Sequence, residues 1–129
     1  MKALLALTLV AAAVPASAAP LTVKTGETWL FALEHGDPVR AHKVDVSAKP
    51  AKGEVKIAVR ALFGTTMTIS SNSHQGYTFK AELIGADGKA VTARACTVPP
   101  KNQPALESWP QKAVAVRIGS FKPAKGGVC

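Results

Sequence analysis

Three histidines, two cysteines and a short Ser-Asn-Ser-His run are the residues of this chain with the most chemistry in them. His35 and His42 flank Gly36-Asp37-Pro38, a turn signal, so a hairpin would bring the two imidazoles toward one another. With Glu34 or Asp37 as a carboxylate and His74 as a third nitrogen ligand, such a cluster would suit zinc or copper. No His-x-His or His-Glu-x-x-His spacing supports it, so no metal and no cofactor is expected, and a histidine metal site is the alternative reading. Ser73 next to His74 pairs a nucleophile type with a base type. However, Ser71-Asn72-Ser73-His74-Gln75-Gly76 is ordinary turn composition, and no Gly-x-Ser-x-Gly elbow frames it. The acidic residues fall at turns or on charged strand faces rather than as a catalytic pair. The expectation is a protein that is not an enzyme.

Cys96 and Cys129 are the only cysteines. No Cys-x-x-Cys motif makes them a redox pair, so they read as one structural disulfide. The bridge would close a loop of roughly 34 residues, worth about 3.5–4 kcal/mol in the chain-entropy account. It would pin the tail to the end of a strand. That reading needs an oxidising compartment, and the start of the chain supplies one. Lys2 is followed by an apolar run from Ala3 to Val14, and the segment ends Pro15-Ala16-Ser17-Ala18. A positive start, an apolar stretch and small residues in alternation are the pattern of a secretory signal peptide, here residues 1–18. The run is shorter than the about 20 residues a spanning helix requires, and no later segment is apolar enough to cross a membrane. The domain is therefore residues 19–129, periplasmic or secreted.

The formal net charge is +8 at pH 7, a balance that favours polyanionic partners. Lys43, Lys49, Lys52, Lys56 and Arg60 are dense in the middle of the chain, and Lys56 and Arg60 share a strand face with Glu54. They are candidate binding residues for an envelope polyanion. Exposed aromatics between the basic residues would point to nucleic acid, and none is apparent, so no nucleic acid is expected. Trp109, in the proline-rich stretch Pro99–Pro110, is the remaining single candidate. It is read first as a cover for the disulfide or for the open end of the core and second as an exposed partner anchor.

The elements that must position these groups are strands. Val55, Ile57, Val59, Ala61 and Phe63 alternate with Glu54, Lys56, Ala58 and Arg60, the period-two signature of a half-buried strand. Met67, Ile69 and Ser71 alternate with Thr66, Thr68 and Ser70, and Tyr77, Phe79, Ala81 and Leu83 with Thr78, Lys80 and Glu82. Gly85-Ala86-Asp87-Gly88 marks a hairpin, followed by a strand over 89–98. Residues 99–110 read as a loop with room for one helical turn around Leu106. Val114, Val116 and Ile118 form the last clear strand, and Phe121 still packs. Seven or eight short strands separated by turns, with no amphipathic helix, predict a single all-β antiparallel β-sandwich, with a small β-barrel as the alternative.

The strand Thr66–Ser73 running into an Asn-Ser loop, with Tyr77–Leu83 as an aromatic-rich return strand, resembles small secreted bacterial proteins with an immunoglobulin-like sandwich. The resemblance covers most of residues 19–129 at the level of architecture and brings no function with it. The expected activity is that of an exported binding or envelope-associated module. It would act through end loops, a basic face, or a strand edge that accepts a protein partner.

Overall fold

The computed structural model describes residues 19–124. Residues 1–18 and Cys129 lie outside them, so the expected signal peptide and the expected Cys96–Cys129 bridge fall outside the described structure. Nine strands are found among the described residues: β1 Leu21–Lys24, β2 Thr28–Glu34, β3 Asp37–Val44, β4 Glu54–Arg60, β5 Thr65–Ser71, β6 Tyr77–Ile84, β7 Ala90–Ala93, β8 Ala105–Trp109 and β9 Ala115–Pro123. They form two antiparallel sheets, a four-stranded one in the order β1-β9-β6-β7 and a five-stranded one in the order β3-β2-β4-β5-β8. Each sheet keeps two edge strands, so the molecule is an open sandwich and the barrel alternative is excluded.

The alternating runs fold as their period dictates. Val55, Ile57 and Val59 of β4 and Met67 and Ile69 of β5 point inward and are fully buried, paired Val59↔Met67 and Ile57↔Ile69. Phe79, Ala81 and Leu83 of β6 meet them from the other sheet together with Val116 and Ile118 of β9. Phe121 anchors an aromatic group at one end of this core. Its ring stacks on Phe79 with centroids 5.3 Å apart and lies 5.7 Å from Phe31 and 6.3 Å from Tyr77.

The sheets are locked across their interface by the β2–β3 hairpin. Its turn is His35-Gly36, both at positive φ, so Asp37 and Pro38 belong to β3 rather than to the turn. Between the pairs Lys80↔Gly119 and Thr78↔Lys122, β9 carries one residue more than β6. Ser120 takes a positive φ at this bulge. The Phe121 N–H then points away from β6 and donates to the Gly36 carbonyl at 2.9 Å. Gly36 approaches so closely that a Cβ would lie 2.4 Å from the Phe121 oxygen.

Three sequence expectations change. The run of β4 stops at Arg60, so Ala61 and Phe63 do not continue its inward face. Phe63 is instead 89% exposed at the β4–β5 turn, with φ 50°. The stretch read as a proline-rich loop contains β8, an edge strand pairing with β5 from Thr65↔Trp109 to Ile69↔Ala105. Pro104 and Pro110 bracket this strand instead of interrupting it, and there is no helical turn at Leu106. The strand expected over 89–98 is ordered as β7 only to Ala93. Beyond it the Cys96 N–H donates to Glu107 Oε2 of β8 in the other sheet, and Val98 returns to the four-stranded sheet in an isolated bridge to Tyr77 of β6.

Candidate functional site

A broad concavity lies on the outer face of the four-stranded sheet. The register of that sheet lays out two rows of outward residues. One row runs Thr22 (β1), Arg117 (β9), Glu82 (β6) and Thr92 (β7). The next runs Gly119, Lys80 and, one residue past Ala93, Arg94. Gly119 places no side chain in the second row, and Pro20 stands beside it, 3.3 Å from where a Cβ would sit. The gap between the tall side chains is a depression of about 630 Å³, with Asp37 and Ser120 on its rim. Asp37 is carried there by the docked β2–β3 hairpin.

Charge in the depression is unevenly compensated. Arg117 is held by Glu82, its Nε and Nη2 each 2.8 Å from Oε1. Lys80 of β6 and Arg94, the residue that follows the last β6–β7 pair Ala81↔Ala93, both line the depression. Ion pairs among the described residues are Arg40–Glu34, Lys43–Glu27 and Arg117–Glu82. Neither Lys80 nor Arg94 takes part in them. Two like charges that line one cavity disfavour each other, and an anion between them relieves this. An anionic group entering it would meet an ammonium, a guanidinium fork and the second guanidinium of Arg117.

The residues singled out from sequence sit elsewhere and are mostly committed. Arg60 donates from Nη1 to the carbonyls of Glu27 and Val59, and from Nη2 to Thr28 Oγ1. Lys56 donates to the Val46 carbonyl at 2.6 Å. Both are on the outer face of the other sheet, and both bind the chain itself: Lys56 holds the loop after β3, and Arg60 holds the start of β2. Trp109 is buried at the edge of the sandwich, where its indole N–H donates to the Arg94 carbonyl at 2.9 Å. It covers the core between β8 and the segment after β7 and leaves no exposed ring for a partner. That bond also fixes the backbone that carries the Arg94 guanidinium.

The histidines do not converge. His35 is at the β2–β3 turn, His42 lies on the exposed outer part of β3 with Nδ1 3.1 Å from the Arg40 carbonyl, and His74 is in the β5–β6 loop. Among the described residues no group of three or more His, Cys, Asp or Glu side chains is placed to share a metal ion. Ser73 Oγ accepts the Gln75 N–H at 2.9 Å and so serves its own loop. A smaller hollow of about 300 Å³ beside it is lined by Lys52, Asn72, Ser73, His74, Lys101 and Asn102. Cys96 lies at the crossing between sheets, and its expected partner Cys129 is outside the described residues.

Sequence reasoning missed Lys80, Arg94 and Arg117 because each looks like a solvated strand residue. The signal was present in the hairpin at Gly85–Gly88, since its loop length decides which residues of the two strands face each other. No protein-family model, no curated protein and no solved structure matches this chain.

Proposed function

We propose that this chain is an exported, non-enzymatic binding module that takes an acidic ligand in the depression over its four-stranded sheet. The observation that carries the reading is that Lys80 and Arg94 line one depression beside the gap left by Gly119, both outside every ion pair among the described residues. Two cations lining one cavity are relieved by an anion, and a guanidinium fork matches carboxylate and phosphate geometry. The volume is in the range of small-ligand sites. The leader pattern of residues 1–18 and the Cys96–Cys129 pair support an oxidising, extracytoplasmic setting, periplasmic or secreted, and the net charge of +8 favours acidic partners there. The acidic polymers and glycans of an envelope are the ligand class that this setting offers.

The test is titration of the isotope-labelled protein with inorganic phosphate and with a short uronic-acid oligosaccharide, followed by amide shifts. Shifts should cluster at 80–82, 92–95 and 117–120. Lys80→Ala and Arg94→Ala should each weaken binding about ten-fold or more. Shifts scattered over the lysine-rich outer face of β4, or affinities unchanged in both variants, would reject the site.

A further inference from the structure

Away from the depression, one end of the sandwich carries an apolar tip. The β4–β5 turn projects Leu62 and Phe63, 52% and 89% exposed, and Val114 on the neighbouring connection is also exposed. Phe63 holds φ 50°, a region that bulky side chains avoid and that Asn or Gly occupies at lower cost. An aromatic ring that neither enters the core nor suits its own backbone contributes nothing to the fold. Strain of this kind at an exposed tip points outward, to something the ring meets.

The tip is rigid. Gly64 packs so tightly on the β8–β9 connection that a Cβ would lie 2.2 Å from the Trp109 oxygen. Thr66 Oγ1 donates to the Leu62 carbonyl at 3.0 Å. Thr65 Oγ1 donates to the Gln111 carbonyl and accepts the Ala113 N–H. The other connections at this end are tied to the same frame through Gly26 N–H to Val59 O, Thr25 N–H to Val114 O and Val114 N–H to Ile84 O. Lys24 at the end of β1 and Lys89 and Lys112 on the connections stand exposed at this end, outside every ion pair among the described residues. The acids here are engaged locally: Glu27 with Trp29 and Lys43, Asp87 with the Lys89 N–H, and Asp45 with Ser47.

We infer that this end docks on an anionic lipid surface, with Leu62 and Phe63 entering the headgroup–acyl boundary and Lys24, Lys89 and Lys112 facing the phosphates. Two large exposed apolar residues on a braced turn, with three ammonium groups at the same end of the sandwich, fit a planar charged interface. The inference is independent of the ligand depression, which lies on a sheet face and uses none of these residues.

Co-sedimentation of residues 19–129 with phosphatidylglycerol–phosphatidylcholine vesicles tests it. Binding is expected to the mixed vesicles, weakly or not at all to phosphatidylcholine alone, and to decline as salt is added. A double substitution Leu62→Ser and Phe63→Ser, at exposed positions that leave the core untouched, should weaken partitioning about ten-fold or more. In Phe63→Trp the emission should shift to the blue on adding the mixed vesicles. The idea fails if the double variant binds as well as the parent, if the Phe63→Trp emission does not move, or if no vesicle binding occurs. It also fails if light scattering finds a dimer that the double variant breaks, since a second copy would then be the occupant.

Discussion

Thr65 and Ser71 are buried hydroxyls at the two ends of β5, and they differ in what they bond. Thr65 Oγ1 donates to the Gln111 carbonyl at 2.8 Å and accepts the Ala113 N–H at 2.9 Å, so it satisfies two backbone groups of the β8–β9 connection. Ser71 Oγ has no hydrogen-bond partner among the described residues. Thr65→Val keeps the shape but leaves both backbone groups unpaired, and should cost about 2–3 kcal/mol in urea unfolding. Ser71→Ala removes an unbonded polar atom from the core and should be neutral or slightly stabilising, within about 0.5 kcal/mol of the parent. A large loss at Ser71 or none at Thr65 would contradict these assignments. Period-two reading had put Ser71 on the inward face correctly, because parity follows from the backbone alone. The bonding of each hydroxyl was not legible, because its partners are dozens of residues away or absent.

At the scale of elements, β4, β5 and β6 were legible because their buried faces alternate cleanly within one strand. Edges were not. β8 hides in a stretch whose prolines read as loop, yet Pro104 and Pro110 only bracket it. Its inward Glu107 bonds the Cys96 N–H rather than facing water. Phe63 was misplaced by carrying parity one step into a turn. The Asp87-Gly88 signal gave the β6–β7 hairpin but not its length. The Gly85 N–H bonds the Lys89 carbonyl across Ala86-Asp87-Gly88. A loop one residue shorter would shift the register, turn the faces of β7 over and separate Arg94 from Lys80. The first three strands are braced by Glu27, whose carboxylate accepts the Trp29 indole N–H and the Lys24 N–H, each at 3.0 Å, and the Lys43 ammonium at 3.3 Å. The Trp29 bond is the main reason its pKa lies below the usual 4.5, with the Lys24 amide and Lys43 adding to it against partial desolvation. A carboxylate with a depressed folded pKa stabilises fully above its unfolded value, and the contribution fades as pH falls through the folded one. The gap in urea midpoint between the parent and Glu27→Gln should therefore be constant above pH 4.5 and close on further acidification. A gap that keeps its size in acid would mean that the brace is not the ionised carboxylate.

For the whole molecule, the decisive contact is the one through which a hairpin of the five-stranded sheet grips a strand of the other. The extra residue in β9 turns the Phe121 amide out of its own ladder and toward the Gly36 carbonyl, while the Phe121 ring holds Phe31, Tyr77 and Phe79 together. The grip also sets the rim of the ligand depression, because Asp37 follows Gly36 directly. Gly53 offers an internal control. It has nearly the same positive φ, +86° against +85°, but nothing lies within 4 Å of a Cβ built on it. Gly53→Ala should lose only the backbone cost of that conformation, about 1 kcal/mol. Gly36→Ala adds a Cβ that cannot stay at 2.4 Å from the Phe121 oxygen. The hairpin must back away, breaking the hydrogen bond and loosening the aromatic group, so the loss should be at least about 2–3 kcal/mol. It should also weaken phosphate and uronate binding at Lys80 and Arg94, which it never touches, whereas Gly53→Ala should leave binding intact. Equal stability losses for the two variants would show that the sheets are held by side-chain packing alone. A Gly36→Ala protein with unchanged affinity would show that the depression does not depend on the hairpin for its shape.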